Sequence, residues 1–175
     1  IVAILYFPNF KLDIYNLLLA FFVLCISASS NYLINEYLDK DYDKYHPIKK
    51  WRYFVKSTKS GNYIFVNYLI LITLSLILSY HINFTFFYLN IFFLICGLSY
   101  NVKPLRFKDF FFIDVLVEAL NNPIRFLMGW SLVSPNFYPP ISIILFLWFV
   151  GCFLMSMKRY SEYGFIEKKK IKPEL

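Results

Sequence analysis

The sequence has little charge and little cysteine for a chain of 175 residues. Charged residues make up 17% of it, and it contains three cysteines. Three cysteines cannot cross-link a chain of this length, so a disulfide scaffold is excluded. Soluble domains are typically about 45–50% apolar and about 25% charged, whereas this chain is 59% hydrophobic. That hydrophobicity excludes intrinsic disorder and predicts an integral membrane protein rather than an ordinary soluble enzyme.

Five apolar runs are long enough to form transmembrane helices, which need about 20 residues. The runs predict spans over residues 14–37, 62–80, 84–100, 110–132 and 141–157. Residues 1–9 are expected to end an earlier helix, and the chain begins inside an apolar run, so we expect a fragment that lacks sequence at both ends. The predicted fold class is all-α, a polytopic transmembrane helix bundle.

The 18 lysines and arginines are concentrated in alternate loops. Residues 40–60, 101–109 and the tail 160–175 are basic, whereas turns 80–83 and 133–140 contain no Lys or Arg. Cytoplasmic loops of membrane proteins carry an excess of these residues. The alternation therefore predicts a multi-pass protein whose basic loops and tail face the cytoplasm. Because the charge follows topology, the net charge of +7 does not predict nucleic-acid binding.

Polar residues recur at every fourth position at the cytoplasmic end of the first predicted span. They are Asn31, Asn35, Asp39 and Asp43. Residues four apart in a helix lie on one face, and carboxylates near a bilayer are costly and are usually paired or functional. Oxygen ligands without a nearby His or Cys suit Mg²⁺. The alternative is an ordinary helix end whose acids are solvated.

A second acidic pair, Asp114 and Glu118, lies four residues apart in the predicted span 110–132 and is followed by Asn121, Asn122 and Arg125. Burying such groups without partners would cost several kcal/mol. The two acidic stripes are therefore expected to share a cavity that holds cations. A structural ion pair between Arg125 and Glu118, or contacts of Arg125 with the asparagines, is the alternative.

Basic residues in the loops beside these stripes are suited to binding phosphate oxygens. They are Lys49, Lys50, Arg52, Lys103, Arg106 and Lys108. Acids that bind Mg²⁺ and basic groups that neutralise phosphate together suit a diphosphate leaving group. Arg52 and Arg106 are the preferred candidates, since Arg binds phosphate with two parallel hydrogen bonds. Topology alone is the alternative explanation for most of the lysines.

Three segments of the chain resemble motifs of the UbiA superfamily of membrane prenyltransferases. Asn35-Glu36-Tyr37-Leu38-Asp39-Lys40-Asp41-Tyr42-Asp43 resembles the superfamily's N-D-x-x-D-x-x-x-D motif. Tyr100-Asn101-Val102-Lys103-Pro104-Leu105-Arg106-Phe107-Lys108 is similar to its Y-S-x-P-P-L-R-L-K loop, and Asp114-x-x-x-Glu118 stands where the second acidic motif lies. The resemblance covers about residues 14–160. Glu36 and Glu118 replace the usual Asp, and Tyr53 replaces a common Pro.

The resemblance implies a bundle of nine or so spans, of which five are complete here, and an isoprenoid chain in an apolar tunnel. It implies one partial membrane-embedded domain over residues 1–175, with active-site loops at 40–60 and 101–109. It also implies that Mg²⁺ is bound by Asn35, Asp39, Asp43 and Asp114, while Arg52 and Arg106 contact phosphate. Glu118 joins those four as a catalytic candidate. Further substrate-binding candidates are Lys49, Tyr100, Lys103, Asn122 and Arg125.

The implied partners are a polyprenyl diphosphate, a small acceptor such as an aromatic compound, and the lipid bilayer. The segment His46-Pro47-Ile48-Lys49-Lys50-Trp51-Arg52 is instead similar to a subgroup that moves phosphoribose from phosphoribosyl diphosphate onto a polyprenyl phosphate. The residues after Tyr100 resemble the prenyl-transferring members more closely. The superfamily is therefore predicted and the subgroup is left open.

Three rival classes explain less of the sequence. A transporter predicts acids near the membrane midplane and broken helices in paired halves, but the acids lie at one end and no repeat is visible. A CDP-alcohol phosphotransferase resembles a D-G-x-x-A-R pattern that does not occur in this chain. A purely structural membrane subunit accounts for the helices but not for the two acidic stripes.

Overall fold

A computed structural model describes residues 13–46, 48–57 and 61–163, together with the helix backbone of residues 164–169. The described residues form helices and connecting turns, with no β-strand among them. Seven α-helices follow one another in this part of the chain: α1 (Ile14–Asp43), α2 (Tyr53–Lys56), α3 (Gly61–Ile82), α4 (Phe84–Asn101), α5 (Ile113–Ala119), α6 (Asn121–Ser131) and α7 (Ile141–Lys169). Short 3₁₀ turns at Lys49–Trp51 and Phe107–Asp109 lie in the basic loops. The predicted all-α helix bundle is confirmed.

Four of these helices have the length and composition needed to cross a membrane. They cover Ile14–Asp43, Gly61–Ile82, Phe84–Asn101 and Ile141–Tyr163. α1 continues past its predicted end at residue 37, so the whole stripe from Asn31 to Asp43 lies on one helix. The expected helix at residues 1–9 lies outside the described residues.

The segment predicted as one span over residues 110–132 is instead divided into α5 and α6. Pro123 explains the break. Proline has no amide hydrogen, so it cannot bond to the carbonyl four residues earlier, and its ring clashes there. That carbonyl belongs to Ala119, the last residue of α5. Phe112, which precedes α5, has a φ of 67°, so the helix begins at Ile113 rather than at residue 110.

The turn between α3 and α4 has Asn83 as its single linking residue. The side-chain oxygen of Asn83 accepts a hydrogen bond from the backbone N–H of Phe86 at 2.7 Å, which satisfies one of the free amides of the first turn. Its amide nitrogen donates to the carbonyl of Ser131 at 3.1 Å and so joins this turn to the end of α6. The structure confirms a turn at this place but makes it shorter than the predicted turn 80–83, because α3 continues to Ile82.

The helices pack around a small apolar core with a polar layer inside it. α1 packs against α3 and α4, α4 against α6, and both α5 and α6 against α7. Within the polar layer, the Ser27 hydroxyl donates to the Asn90 side-chain oxygen at 2.7 Å, and the Asn90 amide lies 3.4 Å from Ser79 Oγ. Gly97 lets α1 approach closely, because a Cβ there would overlap the side chain of Asn31. Hydrogen bonds and close backbone contacts are the usual means of helix association in membranes.

Candidate functional site

Charged side chains from α1, α5, α7 and the basic loops meet at one end of the bundle, which we call the basic end. It comprises the C-terminal ends of α1 and α4, the loop 102–112, the start of α5 and the end of the apolar part of α7. Three carboxylates there each contact a Lys or Arg at 2.7 Å or less: Asp39 with Lys108, Asp43 with Arg52 and Asp114 with Arg159. The site is therefore a set of ion pairs, two of which join residues that are far apart in the chain.

The ammonium group of Lys108 lies among three side-chain oxygens, which we call the oxygen cage. It donates to Asp39 Oδ1 at 2.5 Å, and to Asn35 Oδ1 and Asn101 Oδ1 at 3.2 Å each. The side chain of Lys108 is 9% exposed. Burial lowers the pKa of Lys108, and the hydrogen bond that Lys108 donates to Asp39 opposes that shift. Asn35 and Asp39 come from one face of α1, as the four-residue spacing predicts.

Arg106 approaches the same carboxylate oxygen of Asp39 that Lys108 contacts. Its Nη2 lies 3.4 Å from Asp39 Oδ1, and its Nε lies 3.0 Å from Asp109 Oδ2. The guanidinium also stacks on the ring of Tyr42, 5.3 Å from the ring centroid. Arg106 has a φ of 34°, a left-handed conformation that costs a non-glycine residue about 1–2 kcal/mol. This turn lets Arg106 and Lys108, two residues apart, both reach Asp39.

The segment after α1 folds back over the end of that helix. The imidazole Nδ1 of His46 accepts hydrogen bonds from the backbone N–H groups of Ile48 and Lys49, each at 3.2 Å. Burial and then the nearby Lys49 lower the pKa of His46, so the imidazole remains an acceptor. Arg52 follows this turn, and its Nη1 lies 2.7 Å from Asp43 Oδ2.

The second acidic pair is held by Arg159 of α7. Arg159 Nε donates to Asp114 Oδ2 at 2.7 Å, and its Nη2 donates to the Tyr100 hydroxyl at 3.1 Å. Tyr100 in turn donates to Glu118 Oε2 at 2.8 Å. Glu162, one turn after Arg159, contacts Arg159 at 3.2 Å and Lys49 at 3.5 Å. α7 is thereby joined both to the second acidic pair and to the segment after α1.

Two neighbouring residues at the end of α4 connect the two groups of charges. Asn101 contributes to the oxygen cage, and Tyr100 contacts Glu118 and Arg159. The structure thus groups the candidates Asn35, Asp39 and Arg106 around Lys108 and Asn101. The candidates Asp114 and Glu118 are linked to Tyr100, Glu118 directly and Asp114 through Arg159.

Three candidates from the sequence lie outside these contacts. Lys103 is exposed in the loop after α4. The Asn122 amide lies against Gly151 of α7, where a Cβ would overlap it. Arg125 stacks on the ring of Phe93 at 5.4 Å. Within the described residues Arg125 forms no ion pair with Glu118, which removes that alternative for these two residues.

Four residues of the site were not predicted in these roles: Asn101, Lys108, Arg159 and Glu162. Asn101 and Lys108 both lie within the segment Tyr100–Lys108, which resembles a family motif. Polar side chains at the end of an otherwise apolar helix could have marked them as candidates. Arg159 and Glu162 lie near the basic tail, where a positive charge is explained by topology alone. Nothing local in the sequence distinguishes Arg159 from the other basic residues of that tail.

Of the groups of side chains described above, the oxygen cage is best suited to bind a hard divalent cation. No three His, Cys, Asp or Glu side chains of the described residues are grouped closely enough to hold a metal ion. The predicted ligands Asn35 and Asp39 share the oxygen cage, whereas Asp43 and Asp114 each contact a separate arginine. The cage presents three oxygens to one cation, which is the donor type that Mg²⁺ prefers. The residues present there fit such an ion once Lys108 moves away.

The sequence profile of the UbiA prenyltransferase family matches residues 1–167 of the chain. No protein of curated function is significantly similar to it in sequence. Among solved structures, the chain is similar to a UbiA homologue from Archaeoglobus fulgidus bound to DMAPP and Mg²⁺, with 22% identity and a TM-score of 0.80. It is likewise similar to the same archaeal homologue bound to GPP and Mg²⁺, with 23% identity and a TM-score of 0.81.

These structural matches cover most of this chain but only part of the archaeal protein. They include 90% and 93% of the chain, and 56% and 57% of the homologue. The chain therefore spans a little over half the length of the solved homologue. At this level of identity the likeness establishes the fold, and it agrees with the helix bundle described above.

Proposed function

This chain belongs to the UbiA prenyltransferase family, and we propose that it is a Mg²⁺-dependent transferase that moves a polyprenyl group from its diphosphate to a small acceptor. The family and the four long apolar helices make it a multi-pass integral membrane protein. The lysines and arginines of the basic end favour a cytoplasmic position for the site. Solved homologues bind DMAPP or GPP with Mg²⁺, which supports a prenyl diphosphate as the substrate.

One observation carries the proposal. An oxygen cage and an arginine-bound acidic pair contact two neighbouring residues at the end of α4, and both contain cationic groups of the chain. A diphosphate carries several negative charges, so it needs cations from more than one direction. A helix end that is surrounded by Lys108, Arg106 and Arg159 provides such an environment.

The proposal assigns a role to each group of side chains. Mg²⁺, when bound, would neutralise the diphosphate and make it a better leaving group. Asn35 and Asp39 would hold one ion, and Asp114 with Glu118 would hold a second. Arg106 would bind phosphate oxygens from the mouth of the site. Asp43, predicted as a metal ligand, would instead orient Arg52 toward the phosphates, because the two side chains are 2.7 Å apart.

The reaction breaks the bond between C1 of the prenyl chain and the bridging diphosphate oxygen. A new bond forms between C1 and the acceptor, which loses a proton, and diphosphate leaves. The contribution of the chain is to hold the diphosphate at the basic end while the apolar part of the substrate lies among the helices. Positioning and charge stabilisation then provide most of the rate acceleration.

Phosphoribosyl transfer is the second candidate, and the segment His46–Arg52 favours it. Within the described part of this segment, Lys49 contacts Glu162 of α7 at 3.5 Å and Arg52 contacts Asp43 of α1 at 2.7 Å. A polyprenyl phosphate would then be the nucleophile, and phosphoribosyl diphosphate would be the donor. The same basic end would bind the diphosphate in both reactions.

A substrate-pair assay separates the two candidates. Membranes containing the protein receive Mg²⁺ and either labelled polyprenyl diphosphate with 4-hydroxybenzoate, or polyprenyl phosphate with labelled phosphoribosyl diphosphate. Label in the aromatic product supports prenyl transfer, and label in lipid from the second pair supports phosphoribosyl transfer. Either activity should disappear with EDTA and return with Mg²⁺. Turnover that persists in EDTA would contradict the metal-dependent mechanism.

A further inference from the structure

We propose that Lys108 occupies the position of a divalent cation in the resting site and that a diphosphate promotes the exchange of the two. In the resting state the ammonium fills the oxygen cage of Asn35, Asp39 and Asn101. When a diphosphate binds, Lys108 leaves the cage to contact it, and the metal takes the vacated position. This inference rests on the proposed function and adds Asn101 as a third ligand and Lys108 as a competing cation.

The contacts of Lys108 are those of a bound cation rather than of a loose surface lysine. An ammonium group has three N–H donors, and here three oxygens from α1 and α4 lie within 3.2 Å of Nζ. One of the three is a carboxylate and two are amide oxygens. A cage that satisfies every donor of one cation is already arranged for another cation that prefers oxygen ligands.

Asn101 is held in the orientation that a ligand requires. The residue is buried, and its Nδ2 donates to the carbonyl of Gly97 at 2.9 Å in the preceding turn of α4. This bond fixes the amide plane and directs Oδ1 toward Lys108, 3.2 Å away. A ligand whose other end is hydrogen-bonded keeps its orientation whichever cation is present.

The two cations cannot occupy the cage together. An ammonium and a divalent ion at the same oxygens would repel each other strongly in a partly buried site. Lys108 belongs to the 3₁₀ turn Phe107–Asp109 and not to a spanning helix, so its side chain can leave without moving α1 or α4. Arg106, in the same loop, lies beside Asp39. A diphosphate at the mouth could therefore attract both side chains.

Displacement by the anion makes the binding of metal and diphosphate cooperative. Metal alone must expel a well-bound ammonium, and diphosphate alone would face the carboxylate of Asp39. When both ligands bind, the diphosphate draws Lys108 out of the cage, and the metal neutralises the carboxylate of Asp39. Coupling of this kind is reciprocal, so pyrophosphate should raise metal affinity by the factor by which metal raises pyrophosphate affinity.

The test measures Mn²⁺ binding to the detergent-solubilised protein by electron paramagnetic resonance, with and without inorganic pyrophosphate. We expect Lys108→Met to bind Mn²⁺ about tenfold more tightly than the unchanged protein when pyrophosphate is absent. The enhancement by pyrophosphate should shrink by a similar factor. Lys40→Met is the matched control, because Lys40 adjoins Asp39 in α1 but its ammonium stacks on Tyr37 at 4.3 Å. It loses the same charge without opening the cage.

Asn101 gives an independent arm of the experiment. Asn101→Ala should weaken Mn²⁺ binding about tenfold in the Lys108→Met background, where no ammonium competes. Asn101→Asp in that background should bind more tightly than Asn101→Ala, since it restores an oxygen. If Asn101→Ala cannot be purified as a folded protein, Asn101→Ser provides the same comparison with a smaller change.

The outcomes separate this inference from the proposed function. Unchanged or weaker Mn²⁺ binding by Lys108→Met overturns the exchange, as does an equal gain in Lys40→Met. Unchanged binding by Asn101→Ala overturns the third ligand. If the unchanged protein and Asp39→Asn bind Mn²⁺ equally weakly even with pyrophosphate, the proposed function itself fails.

Discussion

Arg159 Nε lies 2.7 Å from Asp114 Oδ2, so the last long helix holds the first carboxylate of the second acidic pair. Asp114 is buried, while the Arg159 side chain is 38% exposed. The arginine can therefore contact a ligand at the mouth of the site without releasing the carboxylate. α7 is otherwise the least buried of the four long helices, and these polar contacts connect it to the site.

Replacing Arg159 should slow transfer more than it weakens folding. We expect Arg159→Met to lower kcat/KM about tenfold, because Asp114 and Tyr100 lose the group that orients them. Arg159→Lys should recover part of the rate. The neighbouring Lys158→Met is the control, since Lys158 lies 3.9 Å from Glu118 and is more exposed. An equal loss in both methionine variants, measured by steady-state kinetics, would contradict a specific role for Arg159.

Asp39→Asn should abolish turnover without affecting membrane insertion. The substitution keeps the shape of the side chain but removes the charge that contacts both Lys108 and Arg106. We expect a loss of about 100-fold or more, with the same amount of protein in the membrane fraction. Asp41→Asn changes an exposed acid on the same helix and should retain activity. Full activity in Asp39→Asn would remove Asp39 from the mechanism.

The turn after His46 should loosen at acidic pH. Burial lowers the folded-state pKa of His46 below its ordinary value of 6.5, so the fold favours the neutral imidazole. Stabilisation of the turn is therefore present above that value and is lost as the pH falls through the lowered pKa. Lys49 and Arg52 lower the pKa of His46, while Glu162 and Asp43 raise it and limit the shift.

Amide hydrogen exchange at Ile48 and Lys49 measures this loosening. Protection, corrected for the intrinsic rate, should be lower at about pH 5.5 than at about pH 7.5. His46→Asn keeps a side-chain acceptor that does not titrate, so its protection should not depend on pH in this range. Equal protection of the unchanged protein at both pH values would contradict the capping role of the imidazole.

Asn90 should contribute to stability through the polar layer of the core. Asn90→Ala leaves the Ser27 hydroxyl without its acceptor and removes the link to Ser79. We expect a loss of about 1–3 kcal/mol, seen as a lower melting temperature in detergent. Asn67→Ala is the control, because the Asn67 side chain donates to the carbonyl of Tyr63 within its own turn of α3. Combining Asn90→Ala with Ser27→Ala should cost less than the sum of the two.

Much of the fold could be predicted from the sequence because bilayers constrain helices strongly. Apolar length identified α1, α3, α4 and α7. The exception is the segment 110–132, where Pro123 removes one backbone hydrogen bond to the carbonyl of Ala119. The mean hydropathy of the segment does not depend on that single bond, so it could not predict the break. The four-residue spacing correctly placed Asn35 and Asp39 on one face, since helical geometry alone determines that relationship.

The pairing of charges could not be predicted in the same way. Which arginine contacts Asp114 depends on how α5 and α7 pack, and these residues are 45 positions apart in the sequence. Lys108 was counted among basic loop residues, but its burial in the oxygen cage follows from the left-handed backbone at Arg106. Neither packing nor this turn has a periodic pattern that a single sequence displays.

The adjacency of Tyr100 and Asn101 has a mechanical consequence. The two groups of charges are linked through consecutive residues, whose Cα atoms are separated by about 3.8 Å because the peptide bond is rigid. This distance is fixed by covalent geometry and does not change when helices tilt. A displacement of α1 or α7 relative to α4 would therefore leave the spacing between these two anchoring residues unchanged. Both groups of charges thus share one rigid point of attachment at the end of α4.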